Sequence, residues 1–268
     1  MHEAVIEEND KCIKAKSGIS GSTIKIIAMV SMLIDHIAAT ILQDYIVNTN
    51  VVDAYGNDSA GSWITLYYVM RLIGRIAFPI YAFLLVEGYS HTRNKWRYLL
   101  RLIGFAFVSE IPFDLAFVIN DEAVRMGKIM DFSSQNVFFT LAVGLLVVIL
   151  ADMVNKTELN RIVKCMVCLM ILAAGALLAY VLKTDYALYG VVAIFIIYML
   201  RKIPAVGVAA GCAPLIASTT LEITALLACI PVAKYNGTRG LKLKWVFYLF
   251  YPVHLLMLWW FTFLSNFS

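Results

Sequence analysis

Charged and ionisable side chains stand near the middle of several long apolar runs, and this combination constrains the fold more than any other feature of the chain. Asp35 and His36 interrupt the run from Ile24 to Ile46, Arg71 and Arg75 lie in the second run, Glu110 and Asp114 in the third, and His254 in the last. A charge at bilayer mid-depth costs about 3 kcal/mol on insertion scales, so such residues face a protein interior or a wet cavity rather than lipid.

The runs near 20 residues recur from end to end, each long enough to cross a hydrocarbon core about 30 Å thick as a helix. Of the 268 residues 61% are hydrophobic and only 15% charged, against roughly a quarter charged in a soluble domain. Spanning backbone must satisfy its own hydrogen bonds, which selects helices over an open sheet. The expected fold is therefore all-α: a polytopic transmembrane helical bundle of about nine spans (eight to ten), at 25–45, 64–89, 98–119, 137–153, 162–182, 187–200, 204–217, 220–233 and 245–264. Gly207, Gly211 and Pro214 break the pattern between 204 and 233, where one long or re-entrant helix is an alternative. Residues 1–23 read as a polar cytoplasmic tail and 24–268 as a single domain. The tail has no continuous apolar stretch of the signal-peptide kind, so the first helix is expected to direct insertion into the cell membrane.

Basic residues orient the bundle. They cluster before the first span, at Arg93, Lys95, Arg97 and Arg101, at Lys156, Arg161 and Lys164, at Arg201 and Lys202, and at Lys234, Arg239, Lys242 and Lys244, while loop 46–63 carries none. This alternation predicts a cytoplasmic N-terminus. The net charge of +4 sits in loops, which points to topology and membrane-lipid contact rather than nucleic acid. Cys165 and Cys168 form a CxxC inside an apolar helix. With no second Cys or His pair at metal spacing, they read as packing residues and no metal is expected.

Helical spacing sorts the mid-membrane residues into faces. Arg71 and Arg75 share one stripe, and so do Glu110 and Asp114. The two pairs are expected to partner each other, Arg75 with Glu110 in particular, because a buried charge alone is prohibitive. Pro79, Pro112 and Pro252 free the carbonyls of Arg75, Val108 and Tyr248 and so add polarity at the same depth. His36 is the leading general-base candidate, since histidine titrates near neutrality. Asp35 leaves the helix roughly 100° away from it and is expected to steady a neighbouring helix. His254 and Tyr251 are candidates for the same cavity. His91, Arg93, Lys234, Arg239 and Lys242 form a basic surface suited to a phosphorylated cytosolic cofactor.

The stretches MVSMLIDHIAATI, RLIGRIAFPIYAFLLVEGYSHTRN, SEIPFDLAF, QNVFFTLAVG and FYPVHLLML occur in that order over about residues 25–260 and resemble the TraX family. That family is named for a conjugation protein that acetylates the N-terminus of pilin, and it looks related to membrane acyltransferases that use cytosolic acyl-CoA. The resemblance implies that His36 is catalytic and that acetyl-CoA is the donor, with a peptide or protein N-terminus or a small amine as acceptor. It also marks Arg75, Glu87, Glu110 and Asn136 as residues of the family's polar blocks.

The resulting expectation is a membrane acetyltransferase with Asp35, His36, Arg75 and Glu110 at the reaction centre. Arg71, Glu87, Asp114, Asn136, Tyr251 and His254 are expected to line its cavity. A proton-coupled secondary transporter with a mid-membrane polar site is the rival reading, and a scaffold whose polar residues only join helices is a third.

Overall fold

The computed structural model describes residues 18–48, 59–118, 124, 126–241 and 244–265. The polar tail up to residue 17, with Cys12, and Lys242 lie outside the described residues. Among those described there is no strand, only isolated bridges between Ile19 and Tyr235 and between Gln135 and Thr184.

Helix α1 (Gly21–Ile37) passes through a π-helical segment, Ala38–Leu42, into α2 (Gln43–Asn48). Then follow α3 (Ser59–Gly74), α4 (Ala77–His91) and α5 (Lys95–Phe113), the last ending in a second π segment, Asp114–Val118. The remainder is α6 (Val137–Asn155), α7 (Arg161–Val181), α8 (Ala187–Met199), α9 (Pro204–Ser218), a 3-10 stretch Thr220–Ala228, α10 (Cys229–Ala233) and α11 (Lys244–Ser265). The bundle is all-α, as the apolar periodicity requires.

Five helical stretches are long and apolar enough to cross a membrane: Gly21–Val47, Gly61–His91, Val137–Asn155, Arg161–Val181 and Trp245–Leu264. Ala187–Met199, Pro204–Ser218 and Thr220–Ala233 are shorter apolar helices. The expected third span, α5, is not among the five, because Arg101, Glu110 and Asp114 dilute its apolar stretch. Helix α7 turns Ile162, Met166, Leu169, Met170 and Leu177 outward, an apolar face suited to lipid. Its inner face lies so close to α6 that a Cβ on Gly175 would meet Val147 at 2.2 Å. Small residues at such contacts let apolar helices gain dispersion energy where no water drives them together.

Local chemistry sets the bends that matter for the site. Helix α3 stops at Gly74 and α4 restarts at Ala77. Pro79 thus falls in the first turn of a new helix, where backbone N–H groups have no intrahelical partner, and its missing donor costs nothing. The break frees carbonyls that Ser31 Oγ meets, donating to Ile73 O at 2.6 Å. Gly74 is required by a close approach, since a Cβ there would lie 2.2 Å from Asp35. That approach brings α1 against the Arg71–Arg75 turn.

At the other end of α1, Ser20 caps the helix by accepting from Thr23 N at 3.3 Å. Ile19 N donates to Lys234 O at 2.8 Å, Gly21 N to Thr238 O at 2.8 Å and Ser22 N to Arg239 O at 3.1 Å. Residues 19–22 are therefore joined to the turn after α10. The NGTRG turn is held against the start of α1 by these bonds.

Candidate functional site

Among the described residues, two neighbouring cavities lie between the helices. The first, about 320 Å³, is lined on α1 by Asp35 and His36, at the α3–α4 break by Arg71 and Arg75, on α11 by Tyr251, and in the α7–α8 connection by Asp185 and Tyr186. The second, about 460 Å³, opens at the end of the bundle that carries the basic turns. Tyr81, Phe138 and Leu141 line both cavities, so one layer of side chains separates them.

His36 Nδ1 lies 2.7 Å from His254 Nε2, with the rings near parallel at 6°. His254 Nδ1 in turn lies 2.6 Å from the carbonyl oxygen of Phe250. A carbonyl only accepts, so the hydrogen-bond network places the His254 proton on Nδ1 and its lone pair on Nε2. His36 must then donate from Nδ1. In the neutral pair its Nε2 carries a free lone pair, on the residue of the two that lines the cavity. Phe117 and Tyr251 stand edge-on to the His36 ring at 5.2 and 6.0 Å and fix its plane.

The arginine pair meets different carboxylates from those expected. Arg75 Nη2 donates to both oxygens of Asp35 at 2.7 and 2.9 Å, its Nη1 to Glu222 Oε1 at 3.0 Å, and its Nε to Arg71 O at 3.2 Å. Arg71 Nη1 donates to Asp35 Oδ2 at 2.8 Å. The expected Arg75–Glu110 pair is thus absent. Glu110 instead accepts from the backbone and side-chain nitrogens of Asn136, whose Nδ2 also donates to Ala106 O at 2.8 Å. Asp114 accepts from Asp131 N at 2.8 Å. Asn136 also caps α6 through Phe138 N at 3.0 Å. Glu110, Asn136 and Asp114 therefore tie the connection between α5 and α6 in place behind the cavity wall, rather than lining the cavity. Asp35 faces α3, as its angular offset from His36 requires.

The second cavity gathers Lys25, His91, Arg101 and Arg239 with Tyr98, Tyr235, Phe247 and Tyr248. Glu87 sits here too, accepting from Tyr235 Oη at 3.1 Å. Burial, then the neighbouring Glu87, pushes the Tyr235 phenol up to about 12, so it stays a donor at neutral pH. Lys25 Nζ stands over the Phe247 ring, 4.9 Å from its centroid. Of the basic residues expected to hold a cofactor, His91 and Arg239 line this cavity, whereas Arg93 and Lys234 are exposed and line neither. Among the described residues no cluster of three His, Cys, Asp or Glu is placed to ligate a metal ion.

Sequence reasoning missed Glu222, Asp185, Tyr186, Lys25 and Arg101. Glu222 had a usable signal, being the one acidic residue in the apolar stretch 204–233, and it is only 2% exposed.

The fold and site define an all-helical protein of membrane-spanning character that encloses a polar site among its helices. The chain belongs to the TraX family: the profile described as "TraX protein" matches residues 20–262. It is also 28% identical over 258 residues to a protein of Dichelobacter nodosus named "Probable fimbrial assembly protein FimC, serogroup H1", covering 89% of this chain and 94% of that relative. No solved structure matches.

Proposed function

We propose that this chain is an integral membrane acyltransferase that carries an acetyl group from cytosolic acetyl-CoA to an amine or hydroxyl acceptor. It would be a protein of the cell membrane with nine crossings and a cytoplasmic N-terminus, so that the basic cavity faces the cytosol. The observation that carries the reading is that His36 lines one cavity with its Nδ1 held by His254, a single side-chain layer away from a basic, aromatic cavity of a size and chemistry suited to a phosphorylated donor.

In this mechanism Lys25, His91, Arg101 and Arg239 receive the phosphates of CoA, for which charge-assisted hydrogen bonds are the strongest available. The thioester arm passes the Tyr81–Phe138–Leu141 layer. His36 Nε2 takes the proton from the acceptor N–H or O–H as that atom attacks the thioester carbonyl. The C–S bond then breaks, and the proton on His36 passes to the departing sulfur, giving free CoA and the acetylated acceptor. His254 holds the reactive tautomer.

Arg75 has its guanidinium committed on three sides, so it serves to organise Asp35 and Glu222. Arg71 commits one N–H and lines the cavity, which makes it the better donor to the developing oxyanion. The relative is named for fimbrial assembly, which supports a fimbrial subunit as the acceptor, through its peptide N-terminus.

The test is acetyl-CoA consumption by the purified chain in lipid nanodiscs, wild type beside His36→Gln. Glutamine keeps the size of the side chain but takes no proton near neutrality. Loss of a general base costs about 10²–10⁴-fold in rate, while thermal stabilisation by CoA should persist. A folded His36→Gln protein with normal turnover would sink the mechanism.

A further inference from the structure

One carboxylate in the His36 cavity has no partner among the described residues. Asp35 is taken up by Arg71 and Arg75, and Glu222 by Arg75. Asp185 lines the same cavity and is exposed within the described structure, and no hydrogen bond or ion pair among the described residues engages its side chain. Arg75 and Arg71 attract it only at longer range, and both are already paired with other carboxylates.

The backbone around Asp185 is held at a cost. Lys183 has φ 53° and Ala187 φ 43°, both in the left-handed region that non-glycine residues rarely adopt. Such strain persists only where surrounding contacts over-determine it, and it collects at functional sites. Here the contacts are Gln135 N donating to Lys183 O at 2.9 Å, Thr184 N to Ala179 O at 3.1 Å and Ala187 N to Thr184 O at 2.8 Å. Tyr186, the next residue, stacks on Phe78 at 3.8 Å between centroids. The connection is pinned on both sides of Asp185, and the aspartate is left facing the cavity.

Charge points to the occupant. The polar network of the site carries two guanidinium groups, Arg71 and Arg75, against three carboxyl groups, Asp35, Glu222 and Asp185. With neutral histidines its formal sum is one negative charge, and the unpaired one is at Asp185. A cavity whose fixed charges sum to a surplus carboxylate favours a cation. Asp185 sits in the connection between α7 and α8, at the end of the bundle opposite the basic cavity, whose residues come from the start of α1, the end of α4 and the turn after α10.

We propose that Asp185 anchors the positively charged group of the acceptor. The acceptor would enter from the end of the bundle opposite the donor as an ammonium held beside His36, and would release one proton to water before the resulting free amine attacks, the second proton passing through His36 to the departing sulfur. This deepens the acyltransferase reading and rests on it for the identity of the acceptor, but the anchoring is a binding property that can be measured without turnover.

The experiment uses two probes on the full chain in nanodiscs: a short apolar peptide with a free N-terminal ammonium, and the same peptide with that amine replaced by a hydroxyl. Dissociation constants are measured by calorimetry for wild type, Asp185→Asn, Asp185→Glu and His36→Gln. Wild type should bind the ammonium peptide about tenfold or more tightly than the hydroxyl analogue, the scale of one charge-assisted hydrogen bond. Asp185→Asn should equalise the two, Asp185→Glu should keep most of the preference, and His36→Gln should keep it whole. Equal binding by wild type, a preference that survives in Asp185→Asn, or no saturable binding of the ammonium peptide would each overturn the proposal. The wild-type comparison stands even if Asp185→Asn fails to fold. Since no acetyl transfer is read, failure here and failure of the His36 mechanism are distinguishable.

Discussion

The two cavities handle charge in opposite ways. Around His36 both arginines are tied to carboxylates at 2.7–3.0 Å, and the side chains belong to helices that pack closely on one another. At the basic end Lys25, Arg101 and Arg239 have no carboxylate within ion-pair distance among the described residues, and His91 meets Glu87 only at 3.7 Å on an exposed surface. Locked charges serve preorganisation, because a fixed dipole needs no reorganisation as a reaction proceeds. Loose cations serve capture, since they are free to exchange water for an anionic ligand. The contrast implies that substitutions in the first region are felt as stability and rate, and substitutions in the second as ligand affinity.

The largest expected effect tests the locked network. Glu222→Ala leaves Arg75 with one partner in place of two, and removing one member of a buried ion pair costs about 3–5 kcal/mol. Arg75→Ala should cost a similar amount, and the double variant less than the sum, because the two share one interaction. Arg75→Ala combined with Glu110→Ala should instead be additive, since Glu110 is bound to Asn136 and not to Arg75. Denaturation in mixed micelles reads both cycles. Coupling to Glu110 without coupling to Glu222 would mean that the network is wired as the sequence spacing alone suggested.

That difference marks how far the sequence could be read. The apolar runs and their flanks gave the helices to within a few residues, and His36, Asp35, Arg71, Arg75, His254 and Tyr251 do converge on one region. Spacing of four residues fixes which side chains share a helix face, but not which neighbouring helix that face meets. Arg75 and Glu110 looked like partners because their helices are close in sequence. The actual partners come from α1, fitted closely against Gly74, and from the 3-10 stretch after α9. Asp185 was hidden for another reason. In a short KTDY connection an aspartate reads as turn chemistry, and only the fold shows that this turn dips into a cavity.

A smaller effect tests the tautomer. His254→Phe keeps a flat ring against Phe250 but removes the acceptor for His36 Nδ1–H. With its tautomer unset, His36 should turn over about 10–100-fold more slowly, the usual loss when a group orienting a reactive imidazole is removed. The ¹⁵N shifts of a labelled His36 should change from a single tautomer to a mixture. A slower enzyme with an unchanged His36 spectrum would assign His254 to packing alone.

The smallest effect tests the loose region against itself. Lys25 and Arg239 line the basic cavity, whereas Arg93 and Lys234 carry the same charge just outside it. If the cavity holds the phosphates of CoA, Lys25→Ala with Arg239→Ala should raise the KM for acetyl-CoA about tenfold or more and leave kcat near wild type, because charge-assisted contacts to a phosphate contribute about 1.5–3 kcal/mol each in favourable geometry. Arg93→Ala with Lys234→Ala removes equal charge at positions that do not line the cavity, where salt screens the interaction over about 8 Å at physiological ionic strength. Its effect should be under twofold at that salt and visible only when salt is lowered. Net positive charge at this end would by itself predict the same loss from both pairs. A kinetic comparison at two salt concentrations therefore separates a built donor cavity from a diffuse basic surface, and equal KM changes for the two double variants would favour the surface.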